Sequence, residues 1–122
     1  MDIRVSGHQV DVGGALRGHA VAELNAANDK YQTRATSAQV TFGKGPHDHG
    51  FTCEILVYAP QGQVLKSTER GAAALAAFDS ALDKLVKQMR RSNRRQKDHH
   101  GAPDYAEALL DAAPAVERRG GV

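Results

Sequence analysis

Seven cations, Lys84, Lys87, Arg90, Arg91, Arg94, Arg95 and Lys97, stand within fourteen residues with no acid among them. A run of cations of this kind binds anions. The plainer alternative is a solvated face that only keeps a helix soluble. Such faces mix both signs, whereas like charges three and four residues apart oppose folding by about 0.2 to 0.5 kcal/mol per pair. An accumulation that works against the fold implies a bound polyanion that offsets it. The chain as a whole carries only +2, so everything outside this segment carries −5 and the surface is polarised. Backbone phosphate is the partner that fits, because each neutralised phosphate releases condensed counterion.

The spacing places these cations on a helix. Leu75, Phe78, Leu82, Leu85 and Met89 step by 3, 4, 3 and 4, the apolar stripe of an amphipathic helix. Lys84, Lys87, Arg91, Arg94 and Arg95 fall within about 60° of the opposite direction, with Arg90 and Lys97 flanking them. Upstream, residues 2 to 6 alternate as a short strand, and Leu16, Ala20, Leu24, Ala27 and Tyr31 mark a helix from about residue 13 to 31, with Asp11 as its candidate cap. Residues 37 to 43 and 51 to 58 alternate as two strands around the loop GKGPHDHG. Pro60-Gln61-Gly62 supplies a turn and QVLKST a further strand, before Gly71 breaks the chain ahead of the last helix. A helix between the first two strands makes them parallel neighbours by the right-handed crossover rule. The predicted fold is α+β in the order β-α-β-β-β-α: one four-stranded mixed sheet with two helices packed on one face, a topology like that of a double-stranded-RNA-binding domain.

The 122 residues suit a single domain. A lone cysteine, Cys53, precludes an intramolecular disulfide, and no apolar run approaches the ~18 residues of a membrane span, which together predict a cytoplasmic, soluble protein. A membrane-surface role is disfavoured because the face opposite the charges is needed by the sheet. Three Tyr, three Phe and no Trp leave few platforms for base stacking, so shape and phosphate are what such a protein reads, and folded RNA offers both. The remaining polar residues form no catalytic constellation, and no enzyme is predicted. His47 and His49 lack a third ligand, and neither a metal nor a cofactor is implied; phosphate or base contact suits that pair better. Cys53 alternates with Phe51 and Ile55 and reads as core. Lys66 and Arg70 either extend the basic surface or are ordinary solvated charges. A protein-interaction or general RNA-binding module whose basic helix docks on an acidic partner is the alternative reading.

The segments RVSGHQVDVGGALRGH, NAANDKY, VTFG and AAFDSALDKLVKQMRRSNRRQKDHH, in this order of elements, resemble the ribosome hibernation promoting factor family, which includes the ribosome-associated inhibitor A proteins. The resemblance covers about residues 1 to 100 and is strongest to alphaproteobacterial long-form members. It implies a translation inhibitor of stationary phase or stress, bound to 16S rRNA and neighbouring ribosomal proteins in the decoding channel of the small ribosomal subunit, where it stabilises inactive ribosomes without chemistry. Residues 1–98 then form the ribosome-binding domain and 99–122 a flexible linker or tail; a C-terminal domain following such a linker would add ribosome dimerisation. Carried over by position, the rRNA-binding residues are Arg17, Lys84, Lys87, Arg90, Arg91, Arg94, Arg95 and Lys97. The chain departs from the family pattern at Ala73 and Leu75, where an acid and a Tyr are usual, and at Ser92-Asn93 within the basic run, which implies altered contacts there.

Overall fold

The computed structural model describes the backbone of residues 1–101 and, Asp48 apart, the side chains of residues 1–93. The elements are β1 (Asp2–Gly7), α1 (Gly14–Lys30), β2 (Ser37–Lys44), β3 (Phe51–Tyr58), β4 (Val64–Gly71) and α2 (Ala74–Gly101). The strands form a single sheet in the order β1-β2-β3-β4. β1 pairs parallel with β2, Val5 beside Val40; β3 pairs antiparallel with β2, Ile55 beside Val40, and β4 antiparallel with β3, Ser67 beside Ile55. The predicted order and the parallel first pair are both present. Residues Met1–Met89 make up one compact unit and Arg90–Val122 another, so the division falls inside α2.

Alternation along the strands produces one apolar face. Val5, Ala38, Val40, Phe42, Cys53, Ile55, Val57 and Leu65 are buried, while Arg4, Gln39 and Lys66, their neighbours in sequence, are exposed. That face is covered by Ala20, Leu24 and Ala27 of α1 and by Ala77, Phe78, Ala81, Leu85 and Met89 of α2. The Phe42 and Phe78 rings meet at 6.4 Å between centroids, and His19 of α1 stands edge-on to Phe78 at 5.5 Å, joining both helices to the sheet around one aromatic side chain. Full burial of a residue such as Phe78 stabilises by about 1.5 to 3 kcal/mol.

Two expectations are corrected. Asp11 is not the cap of α1: the capping position is Gly13, in extended conformation and without a side-chain hydrogen bond. Leu75 is not part of the α2 core stripe but 47% exposed. The buried side takes in Ala77 and Ala81, two side chains small enough to let the helix lie close to the sheet, and the centre of the five buried residues Ala77, Phe78, Ala81, Leu85 and Met89 is rotated by roughly 50° from the stripe of large residues. Where β4 turns into α2, a Cβ on Gly71 would meet the Ala77 nitrogen at 2.6 Å, so the residue that ends β4 has to be glycine. In the β3–β4 connection Gln61 and Gly62 both have positive φ, 66° and 74°, and the Ala59 N–H donates to the Gln63 carbonyl at 2.8 Å.

Cys53 is fully buried, as its alternation predicts. Its thiol is pushed up to about 12, first by burial and then by the neighbouring Glu54 carboxylate. At pH 8 iodoacetamide is therefore expected to leave the native protein unmodified and to label it fully in denaturant. An unfolded cysteine titrates near 8.5, so above about pH 8.5 the unfolded state gives up this proton first and folding stability falls as pH rises. Denaturant melts between about pH 8 and 10 should show that decline, and Cys53→Ala should flatten it.

Candidate nucleic-acid interface

The first turns of α2 are tied to the sheet by apolar residues, and the cations ride on the same helix. Lys84 and Lys87 belong to the unit ending at Met89, and both are exposed; Arg90 and Arg91, also exposed, belong to the second. The side chains of Arg94, Arg95 and Lys97 lie outside the described residues, although the helical backbone continues through these positions to Gly101. Residue 98, the expected domain boundary, is also helical; the segment 102–122, most of the expected tail, is not described.

The lysines differ in what holds them. Lys87 Nζ lies 3.8 Å from Asp83 Oδ2 one turn earlier, with 58% and 74% of the two side chains exposed. A pair this open contributes at most about 1 kcal/mol and yields readily to a competing anion. Lys84 Nζ is paired with Glu69 of β4, whose side chain is only 25% exposed. Arg17, the candidate contact from the first helix, directs Nη1 at the Val5 carbonyl at 2.6 Å, so this guanidinium fastens α1 to β1. Lys66 and Arg70 occupy the strand positions opposite Leu56 and Thr52, on the sheet face away from α2, and Lys66 pairs there with Glu54 at 3.6 Å. They do not extend the basic side of α2.

Ser92, one of the two residues that interrupt the basic run, is 6% exposed, whereas Arg91 beside it is exposed. Exposed Leu75 and Ala73 lie at the start of α2. His47 and His49 are exposed in the β2–β3 loop, and among the described residues no three His, Cys, Asp or Glu side chains gather as a metal site would require. Sequence reasoning missed Glu69. The signal lay in the alternation Leu65, Ser67, Glu69, which carries a carboxylate to the helix-covered side of an edge strand, where it needs a partner.

A mixed sheet with two helices on one face and a cationic second helix agrees with what comparison with known proteins finds. The model of the family described as sigma 54 modulation protein / S30EA ribosomal protein matches residues 3–97. The chain belongs to this family. Similar members include proteins named ribosome hibernation promotion factor from Rhizobium meliloti (strain 1021), 29% identical over 93% of this chain and 62% of that protein, and from Bradyrhizobium diazoefficiens, 31% identical over 95% and 57%. The chain thus spans about 60% of the length of these relatives. Among solved structures, the N-terminal domain of Protein Y from Thermus thermophilus superposes with a TM-score of 0.65 at 27% identity, over 75% of this chain and 98% of that one. A ribosomal subunit interface protein from Coxiella burnetii shares the fold at a TM-score of 0.66 and 18% identity, over 77% and 99%.

The hydrogen bond from Arg17 has a testable consequence for the family fold in this chain. Arg17→Ala should destabilise it by about 1.5 to 3 kcal/mol, the usual worth of a charge-assisted bond, since the β1 carbonyl loses its donor. Arg17→Lys should recover part of the loss. Thermal denaturation of the three proteins measures both.

Proposed function

We propose that this chain is a ribosome hibernation domain: it binds 16S rRNA in the decoding channel of the small ribosomal subunit, where mRNA and tRNA lie during translation, and stabilises inactive ribosomes in stationary phase or stress. The observation that carries this reading is the exposure of Lys87 on a helix whose inner residues up to Met89 are built into the core, with Arg90 and Arg91 exposed in the segment that follows, in a chain matching the S30EA family over residues 3–97. Charges on a packed helix keep a fixed spacing and so suit phosphates displayed at fixed spacing by folded RNA. The names of the two rhizobial relatives support the same reading. Arg94, Arg95 and Lys97 extend the contact by sequence position. Where a dimerisation domain is joined beyond residue 122, the same binding would bring two ribosomes together.

Co-sedimentation with purified small subunits tests this. Binding should be lost as salt is raised from about 50 to 200 mM, with a log–log slope of about −0.7 to −0.9 for each phosphate contacted, and mRNA with tRNA should compete. The combined substitution Lys87→Glu, Arg91→Glu should weaken binding by well over tenfold, on the order of 1.4 kcal/mol or more, while leaving the melting temperature nearly unchanged because both side chains are exposed. Absence of binding at low salt overturns the proposal. So does full retention at high salt, or association with a protein partner that survives nuclease and contains no rRNA.

A further inference from the structure

The two lysines of the basic segment that precede Arg90 look equivalent in sequence and are held differently in the fold. On β4 the positions facing the helices are Leu65, Ser67 and Glu69, and Glu69 stands directly opposite the fully buried Cys53. This puts a carboxylate on the covered side of the sheet at its edge. A half-buried carboxylate without a counter-charge is costly, and the cation that reaches it is Lys84.

Lys84 also lies within a row of polar ties. Ser67 Oγ donates to the Ala81 carbonyl at 2.8 Å in a buried hydrogen bond. The Gln88 amide takes both backbone groups of Lys66: Nε2 donates to the Lys66 carbonyl at 2.6 Å, and the Lys66 N–H donates to Oε1 at 3.2 Å. Ala81, Lys84 and Gln88 follow one another at spacings of three and four, so they share one side of α2, and that side faces β4. The middle member of the row is directed at the strand as its neighbours are. Among the described residues Lys87, by contrast, pairs only with Asp83 of its own helix, whose side chain is 74% exposed.

We propose that Glu69 withholds Lys84 from phosphate: Lys84 is a positioning residue that fastens the basic helix to β4, and the RNA-contacting series begins at Lys87. This rests on the RNA-binding reading above. A phosphate that drew Lys84 away would strand a half-buried carboxylate and add a repulsive charge beside itself. One that drew Lys87 away would strand only a solvated one. Glu69 thereby sets how many cations the helix presents.

The test uses the full chain as wild type, Lys84→Gln, Lys87→Gln, Glu69→Gln and the Glu69→Gln, Lys84→Gln double variant, each measured for small-subunit affinity across about 50 to 200 mM salt and for melting temperature. Lys87→Gln should flatten the log–log salt slope by about 0.7 to 0.9 and leave the melting temperature alone. Lys84→Gln should leave the slope unchanged and lower the melting temperature by about 3 to 6 °C. Glu69→Gln should release Lys84, tightening binding by about 2- to 5-fold and steepening the slope by about 0.7 to 0.9. The double variant should bind like Lys84→Gln. The proposal is overturned if Lys84→Gln flattens the slope as Lys87→Gln does, or if the gain from Glu69→Gln persists without Lys84. Should the wild-type protein fail to bind small subunits, the ribosome reading falls while the Lys84–Glu69 tie is still decided by the melting temperatures: strictly additive effects of the two single substitutions overturn it.

Discussion

The fold depends on covering one face of a twisted four-stranded sheet, and the covering is uneven. α1 contributes three buried residues, Ala20, Leu24 and Ala27, whereas α2 contributes Ala77, Phe78, Ala81, Leu85 and Met89, with Phe78 touching both the sheet at Phe42 and the other helix at His19. The helix that does most of the covering is also the helix that carries the charge. Its cations in the unit ending at Met89 are therefore not free to rearrange as a tail would be: the apolar contact fixes the helix, and the helix fixes the spacing of the ammonium groups. Folding stability and phosphate recognition share one element here, and the alanines at 77 and 81 decide how that element is rotated.

Edge strands expose unpaired backbone groups, and here the helices close them with side chains. Arg17 takes the Val5 carbonyl on β1, and Gln88 takes both backbone groups of Lys66 on β4. Such ties blunt an edge that would otherwise pair with another chain, and an inward carboxylate such as Glu69 has the same effect. They also draw polar residues of the basic helix into structural work. Glu69 and Gln88 look like surface residues when taken one at a time. Their roles emerge only when β4 and α2 are side by side, because the partners are fifteen and twenty-two residues apart in sequence.

The order of elements, the parallel pairing of β1 with β2, the burial of Cys53 and the glycine at the end of β4 were all legible in the sequence, because each follows from local periodicity or from a chain-connectivity rule. Membership of the S30EA family was legible for a related reason, since ordered motifs over residues 3–97 need no contacts to be recognised. The cap of α1 and the burial of Leu75 were misread. A cap depends on where the backbone turns, which differs by two residues between Asp11 and Gly13. Burial on α2 was read from the spacing of its large apolar residues, but small residues can lie near the centre of a contact while a leucine at its margin stays in solvent.

What the sequence determined by itself is that seven cations share one helix and that this helix has an inner apolar side, because both facts are matters of spacing at 3.6 residues per turn. The tertiary structure decided which of the described cations the fold already occupies. Arg17 is engaged by a backbone carbonyl and Lys84 by a carboxylate on a strand, while Lys87 meets an exposed acid on its own helix. The physical reason is that a charge is available to a ligand according to what it would leave behind, and the groups left behind, Val5 and Glu69, come from strands that periodicity along a helix does not reach.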